Sequence, residues 1–209
     1  MEKAGRSRSD DAGAAVVIAF SGLFRMGELT ATEGGFDPVE DMTESDVTFH
    51  PNFWSATRVV IELGRSKADQ DGSRSKLRPR ILPVDNEDLS PGRVLQQMLA
   101  ERYGIRKGQP LLTVTGRPLF QDGKSGQLKQ SAVLTFMRRT LERSGGLTAA
   151  AAGEFGTRSC RIGGATRLFE LGATAEVIKD LGGWSSEAWR NYIRIHQQSL
   201  MTFARNMCR

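Results

Sequence analysis

Cysteine, histidine and tyrosine are scarce in this chain, with two of each among 209 residues. Cys160 and Cys208 stand far apart. They offer neither the density of a disulfide framework nor the spacing of a metal-ligand pair, which leads us to expect a reduced, intracellular protein: nuclear in a eukaryote, cytoplasmic in a prokaryote. His50 and His196 belong to no cluster of carboxylates or thiols at ligand spacing. A zinc hydrolase and a Ser-His-Asp triad therefore find little support, and no metal or nucleotide cofactor is expected. Long apolar runs are missing too. None approaches the ~18–20 residues of a membrane span. The charged start, Met1 to Arg6, leads into polar and acidic residues, unlike a secretory signal. No membrane partner is expected.

Hydrophobic residues make up 39% of the chain, enough for a packed core. The net charge is +5, and its distribution is uneven. Residues 1–50 hold four basic and ten acidic residues, a net of −6, so the remainder carries +11. Positive charge concentrated in the later chain suits a polyanion such as nucleic acid, although ordinary solubilising charge would also account for it.

Residues 1–10 read as a disordered tip or a truncation edge, and 11–209 as one domain. Ala14 to Phe20 is an apolar helical run. Strands are predicted at 46–50, 57–63 and 80–84, with Pro83 marking a strand end or edge. A polar hairpin loop is expected between the second and third. Helices are predicted at 93–103, 131–143, 161–171, 175–181 and 186–193, with a last one over about 196–207. The Ala-rich stretch 147–153 reads as loop or frayed helix. The sum is an α+β, mainly helical fold with a small antiparallel sheet.

Cutting a phosphodiester without a metal requires three things: a nucleophile, a cationic cradle for the nonbridging oxygens, and an acid for the leaving oxygen. Arginine makes the best cradle, because its planar fork binds phosphate oxygens bidentately and stays charged. Of the two tyrosines, Tyr103 ends an amphipathic helix, where packing accounts for it. Tyr192 follows Gly182-Gly183-Trp184-Ser185-Ser186-Glu187-Ala188-Trp189-Arg190-Asn191 and precedes Ile193-Arg194. Either serine is a suitable cap for its helix.

These residues resemble the tyrosine recombinase (phage integrase) family. The Gly-Gly-Trp and Asn-Tyr-Ile-Arg pieces are similar to Cre-like members. Thr157-Arg158-Ser159-Cys160-Arg161-Ile162-Gly163-Gly164-Ala165-Thr166 resembles the family's second arginine box, including that of DIRS-type retrotransposon recombinases. Phe20-Ser21-Gly22-Leu23-Phe24-Arg25-Met26-Gly27-Glu28-Leu29 resembles the first box, and Ser66-Lys67-Ala68-Asp69-Gln70 the lysine-bearing hairpin between the boxes. Four matches in family order, spread from residue 16 to 194, make the resemblance specific.

The resemblance implies the catalytic-domain fold of DNA breaking-rejoining enzymes. It also implies site-specific recombination or integration of double-stranded DNA through a 3′-phosphotyrosine intermediate. By it, Arg25 and Arg161 hold the scissile phosphate, Lys67 protonates the 5′ oxygen with Lys76 as the alternate, and Trp184 donates its indole N–H to a phosphate oxygen. Tyr192 is the nucleophile and Glu28 braces Arg25 or a neighbour. Arg65, Arg74, Lys76, Arg190 and Arg194 are expected along the DNA. Four protomers would work on two synapsed duplexes, linked through residues 196–207. The DNA-clamping domain that usually precedes the first box is expected to be absent.

One position departs from the family pattern. Arg158 stands where the family usually has histidine. Arginine contacts phosphate but is no base near neutral pH. A catalytically weakened, DNA-binding remnant of a mobile element therefore stays open as an alternative, as does relaxation of DNA in the manner of a type IB topoisomerase.

Overall fold

A computed structural model describes residues 8–31, 35–63, 79–123, 126–194 and 201. The predicted hairpin loop and the predicted helix over 196–207 lie outside the described residues, Met201 apart. Helix α1, Arg8–Ser21, begins before the apolar run that foretold it. It takes in the last three residues of the stretch read as a disordered tip. Ala12, Ala15, Ile18 and Ala19 are buried along it at helical spacing. The small alanines let α1 lie at the centre, packed on the helices that begin at Met26, Pro91, Gln130 and Ser159.

The sheet is antiparallel with order β1-β2-β3: β1 Val47–His50, β2 Arg58–Ile61 and β3 Arg80–Pro83. All three strands sit inside their predicted spans. Pro83 ends the edge strand β3, where its missing N–H costs no ladder bond. Side chains alternate across the sheet. Val59, Ile61 and Leu82 face the core, and Ile81 is exposed. The register sets Ile61 opposite Arg80, which places Arg80 on Leu82's buried face.

Four longer helices follow the sheet: α3 Pro91–Tyr103, α4 Gln130–Ser144, α6 Ser159–Glu170 and α7 Ala175–Gly182. Each overlaps its predicted span. The Ala-rich stretch forms a short helix, α5 Ala149–Gly153. Thr148 starts it by accepting a hydrogen bond from the Ala151 N–H. A four-residue helix, α2 Met26–Leu29, carries the first arginine box. The predicted helix over 186–193 is a 3-10 helix, Glu187–Tyr192, capped by the Ser186 hydroxyl at the Ala188 N–H. Among the described residues no helix is long and apolar enough to cross a membrane.

Two apolar clusters result. The larger joins α1, the sheet, α3 and α4. The smaller gathers Leu23, Ala165, Ile178, Trp184 and Trp189, with Tyr192 against its side. A buried charged group fastens the larger one. Arg102 of α3 donates to Glu44 Oε1 at 2.5 Å, to Asp11 Oδ2 at 2.6 Å and to the Leu119 carbonyl at 2.8 Å. Glu44 also accepts from the Tyr103 hydroxyl. Burial, and then this carboxylate, push the Tyr103 phenol above its ordinary range.

Two anions thus enclose one cation, each with further hydrogen bonds. Removing the cation alone takes its charge away from two buried carboxylates. Arg102→Leu is expected to cost about 3–5 kcal/mol of stability, read as a fall in the urea midpoint.

Candidate functional site

The smaller cluster is built around a buried arginine. Arg161 points from the first turn of α6 into the junction between the α1–α2 turn and the end of α7, and is only 1% exposed. One Nη donates to the Leu23 carbonyl, and the other to the Gly182 carbonyl at 2.6 Å. Its Nε has no hydrogen-bond partner among the described residues. Among the described residues no carboxylate lies within ion-pair distance of it. Its guanidinium carbon lies 4.2 Å from the centre of the Trp184 ring and 5.5 Å from that of Tyr192. The two rings stand 4.9 Å apart.

Burial pulls the Arg161 guanidinium down to about 10. Glu28 and Tyr192 act against that fall, while the charges of Arg25 and Arg80 deepen it. All four therefore lie within electrostatic reach of Arg161.

Local sequence explains this placement. Leu23 adopts φ 51°, in the left-handed region where a leucine is rare and strained. That turn presents its carbonyl to Arg161 while its side chain is fully buried. Helix α6 crosses the end of α1 at Gly164, where a Cβ would stand 2.2 Å from the Phe20 carbonyl oxygen and 2.6 Å from a Leu23 methyl. The glycines at 163 and 164 therefore serve a tight helix crossing. At the end of α7, Gly183 takes φ 65° and turns the chain so that Trp184 folds back across Gly182.

Arg25 caps α2 together with Glu28. The carboxylate accepts from the Arg25 N–H and from its Nη, both at 2.7 Å. Arg25 keeps about a third of its side chain exposed, whereas Glu28 is 6% exposed. The charge of Arg25 thus faces outward from a fixed base.

Tyr192 closes the 3-10 helix. Glu187 organises its start by accepting from Arg190, Lys179 and the Trp189 indole, at 2.8, 3.0 and 3.2 Å. The bond from Arg190, and then that from Lys179, hold the Glu187 carboxyl down at about 2. Thr166 of α6 secures the other end. Its hydroxyl donates to the Tyr192 carbonyl at 3.2 Å and accepts from the Arg194 N–H at 3.0 Å.

The structure therefore brings Arg25, Glu28, Arg161, Trp184 and Tyr192 to one place. Arg158 stands apart as the exposed residue before α6, with no side-chain hydrogen bond among the described residues. Arg190 and Arg194 are exposed on the outer side of the tyrosine helix. Trp184 presents its ring face to Arg161, and its indole N–H makes no hydrogen bond among the described residues. Lys67, Arg65, Arg74 and Lys76 lie outside the described residues.

Sequence reasoning gave no role to Thr166, which stood only as the last residue of the second box. It also missed Arg80, whose signal was available: period-two alternation through Leu82 puts Arg80 on the buried face. No group of three or more His, Cys, Asp or Glu among the described residues could hold a metal ion.

No protein-family model matches the sequence, and no curated protein does. Solved structures do. Two are of the XerH site-specific recombinase: a post-cleavage complex with palindromic difH substrate and a pre-cleavage complex with difH substrate. Both superpose with a TM-score of 0.56, at 17% and 19% identity, over 94% of this chain and 45% and 46% of theirs. The chain thus spans just under half the length of those recombinase chains.

The helix crossing under Arg161 is testable through two glycines. Gly164→Ala forces a methyl into backbone and is expected to cost at least ~1–3 kcal/mol. Gly153→Ala, with nothing within 4 Å of the new methyl, should be neutral or stabilising by up to about 1 kcal/mol. Thermal melts of both variants check the contrast.

Proposed function

We propose that this chain, which has the fold of the tyrosine recombinase catalytic domain, breaks and rejoins DNA strands with Tyr192 as nucleophile. One observation carries the reading. A buried guanidinium with no carboxylate partner among the described residues sits against the only described tyrosine outside the larger core, with Arg25 in electrostatic reach. Such an arrangement favours an anion brought from outside.

In this mechanism Arg25 and Arg161 hold the nonbridging oxygens of the scissile phosphate. Glu28 fixes the direction of Arg25. The Tyr192 hydroxyl attacks phosphorus, forming a Tyr–O–P bond to the 3′ end as the P–O bond to the 5′ oxygen breaks. Lys67 supplies the proton to that leaving oxygen. Attack by a 5′ hydroxyl of a second strand reverses the step. Because one phosphoester replaces another, rejoining needs no external energy source. Each cradle donor contributes about 3–4 kcal/mol in the transition state. Arg158 adds positive charge on the surface at the start of α6, and the tyrosine proton leaves to water or to another group. Assembly of four protomers on two duplexes belongs to the same reading, as do DNA contacts through Arg65, Arg74, Lys76, Arg190 and Arg194.

A second reading has one observation in its favour. Arg158 occupies the usual histidine position and offers no base, so a chain that binds DNA without cleaving it is the alternative.

A nicked duplex library of random sequence, screened for protein-linked 3′ ends, decides between them. The parent chain should form the adduct. Tyr192→Phe should form none, and Arg161→Met should lower the yield rate about 10²–10³-fold. Arg158→His should raise it. An adduct in Tyr192→Phe would falsify the mechanism. DNA binding by the parent without any adduct would establish the binding-only reading.

A further inference from the structure

The short segment that carries Tyr192 has little of its own to hold its end. It is a 3-10 helix, Glu187–Tyr192, and such helices have poorer hydrogen-bond geometry than α-helices. Its closing bond runs from the Ile193 N–H to the Arg190 carbonyl at 3.2 Å. At Ile193 the chain turns extended, with φ −87° and ψ 130°. The Tyr192 carbonyl and the Arg194 N–H flank that turn, and one hydroxyl takes up both. Thr166 donates to the carbonyl at 3.2 Å and accepts from the N–H at 3.0 Å.

A threonine in a helix often spends its hydroxyl on the carbonyl one turn back. Thr135 of α4 does so, donating to the Ser131 carbonyl at 2.8 Å. Thr30, at the end of α2, donates to the Met26 carbonyl, also at 2.8 Å. Thr166 lies inside α6 and instead reaches residues 26 and 28 positions further along the chain. Helix formation alone would favour alanine there. The hydroxyl is explained by the segment it grips, not by the helix it sits in.

Arg161 stands on the same helix as Thr166, so the guanidinium and the backbone of the nucleophile share one base. The centre of the Tyr192 ring lies 5.5 Å from the Arg161 guanidinium carbon. A reacting group misplaced by about 1 Å can lose ~10²-fold in rate.

We propose that Thr166 is a positioning residue for Tyr192: its hydroxyl fixes where the phenol stands relative to Arg161, and so sets the rate of strand cleavage without touching DNA. The proposal rests on the DNA-cleavage reading for the reaction. It goes beyond that reading in naming what holds the backbone of the nucleophile.

Thr166→Val keeps the shape of the side chain and loses the hydroxyl. Thr166→Ala loses it while favouring the helix, and Thr166→Ser keeps it. The probe is the nicked duplex library of random sequence at saturating concentration, read for protein-linked 3′ ends over time. The two hydroxyl-free variants should form the adduct about 10–10²-fold more slowly than the parent, with unchanged affinity for the duplex. Thr166→Ser should keep most of the parent rate. Amide exchange measured by NMR follows the bond itself: the Arg194 N–H should exchange faster in both hydroxyl-free variants than in the parent or Thr166→Ser.

A parent rate, or parent exchange at Arg194, in both hydroxyl-free variants overturns the proposal. So does an equal loss of rate in Thr166→Ser, or a loss of affinity that accounts for the loss of rate. Loss of folding in both hydroxyl-free variants overturns it as well, leaving Thr166 a structural tie. A parent that forms no adduct removes the cleavage reading and this role with it. A parent that forms the adduct at a rate the substitutions leave untouched removes only the role of Thr166.

Discussion

The structure depends on keeping one guanidinium buried with no carboxylate among the described residues paired to it. Moving an ion out of water costs several kcal/mol after relaxation. At Arg161 two backbone carbonyls and the face of Trp184 offset that cost. A desolvated cation–π contact contributes about 2 kcal/mol, and charge-assisted hydrogen bonds about 1.5–3 kcal/mol each. These partners stabilise the cation but do not neutralise it. The surroundings are shaped to deliver them. Leu23 accepts a strained backbone to aim its carbonyl, Gly164 lets α6 sink onto α1, and the Gly183 turn swings Trp184 under the guanidinium.

A second buried arginine shows what the alternative looks like. Arg102 is enclosed by Asp11 and Glu44 and gains a carbonyl as well. Its charge is cancelled within the fold, and its hydrogen-bonding capacity is spent on joining α1, the Glu44 turn and α3. Nothing there invites a ligand. At Arg161 burial is as deep, yet the neighbours with charge are Arg25 and Arg80 along with a Glu28 already engaged by Arg25. One fold thus uses the same side chain for two ends. The difference lies in the negative charge: the chain itself supplies it at Arg102, and no described carboxylate pairs with Arg161.

Much of this was legible in the residues, for physical reasons that can be named. The strand β2 announced itself through β-branched residues, and β3 through alternation ended by Pro83. Helices α3, α4, α6 and α7 followed from apolar spacing with glycines behind them. Tyr192 stood out as one of only two tyrosines, and Arg161 through the resemblance of its box to that of a known family. What stayed hidden depends on long-range contact. Nothing local distinguishes a helix crossing at Gly164 from a glycine opened for DNA; only the Phe20 carbonyl above it decides. The 3-10 form of the tyrosine helix reflects the Ser186 cap and the Glu187 bonds rather than its propensity. Arg80 closes a run of basic residues in sequence, whereas its strand register assigns it to the core face.

The position of the nucleophile follows from the same helix that carries the cradle. A 3-10 segment of six residues has weak internal hydrogen bonds and holds no side chain in place by itself. Thr166 ties the end of this segment to α6, accepting from the Arg194 N–H while donating to the Tyr192 carbonyl. Arg161 lies on α6 as well. Any shift of α6 on α1 therefore carries both the guanidinium and the anchor of the phenol, and their separation is preserved. The two rings that line Arg161 reinforce this, since Trp184 reaches the site from the α7 turn and contacts Tyr192 directly. The glycines that permit close packing of α6 thus act on the geometry between phenol and guanidinium, the one relation a phosphoryl transfer by this chain would need to keep.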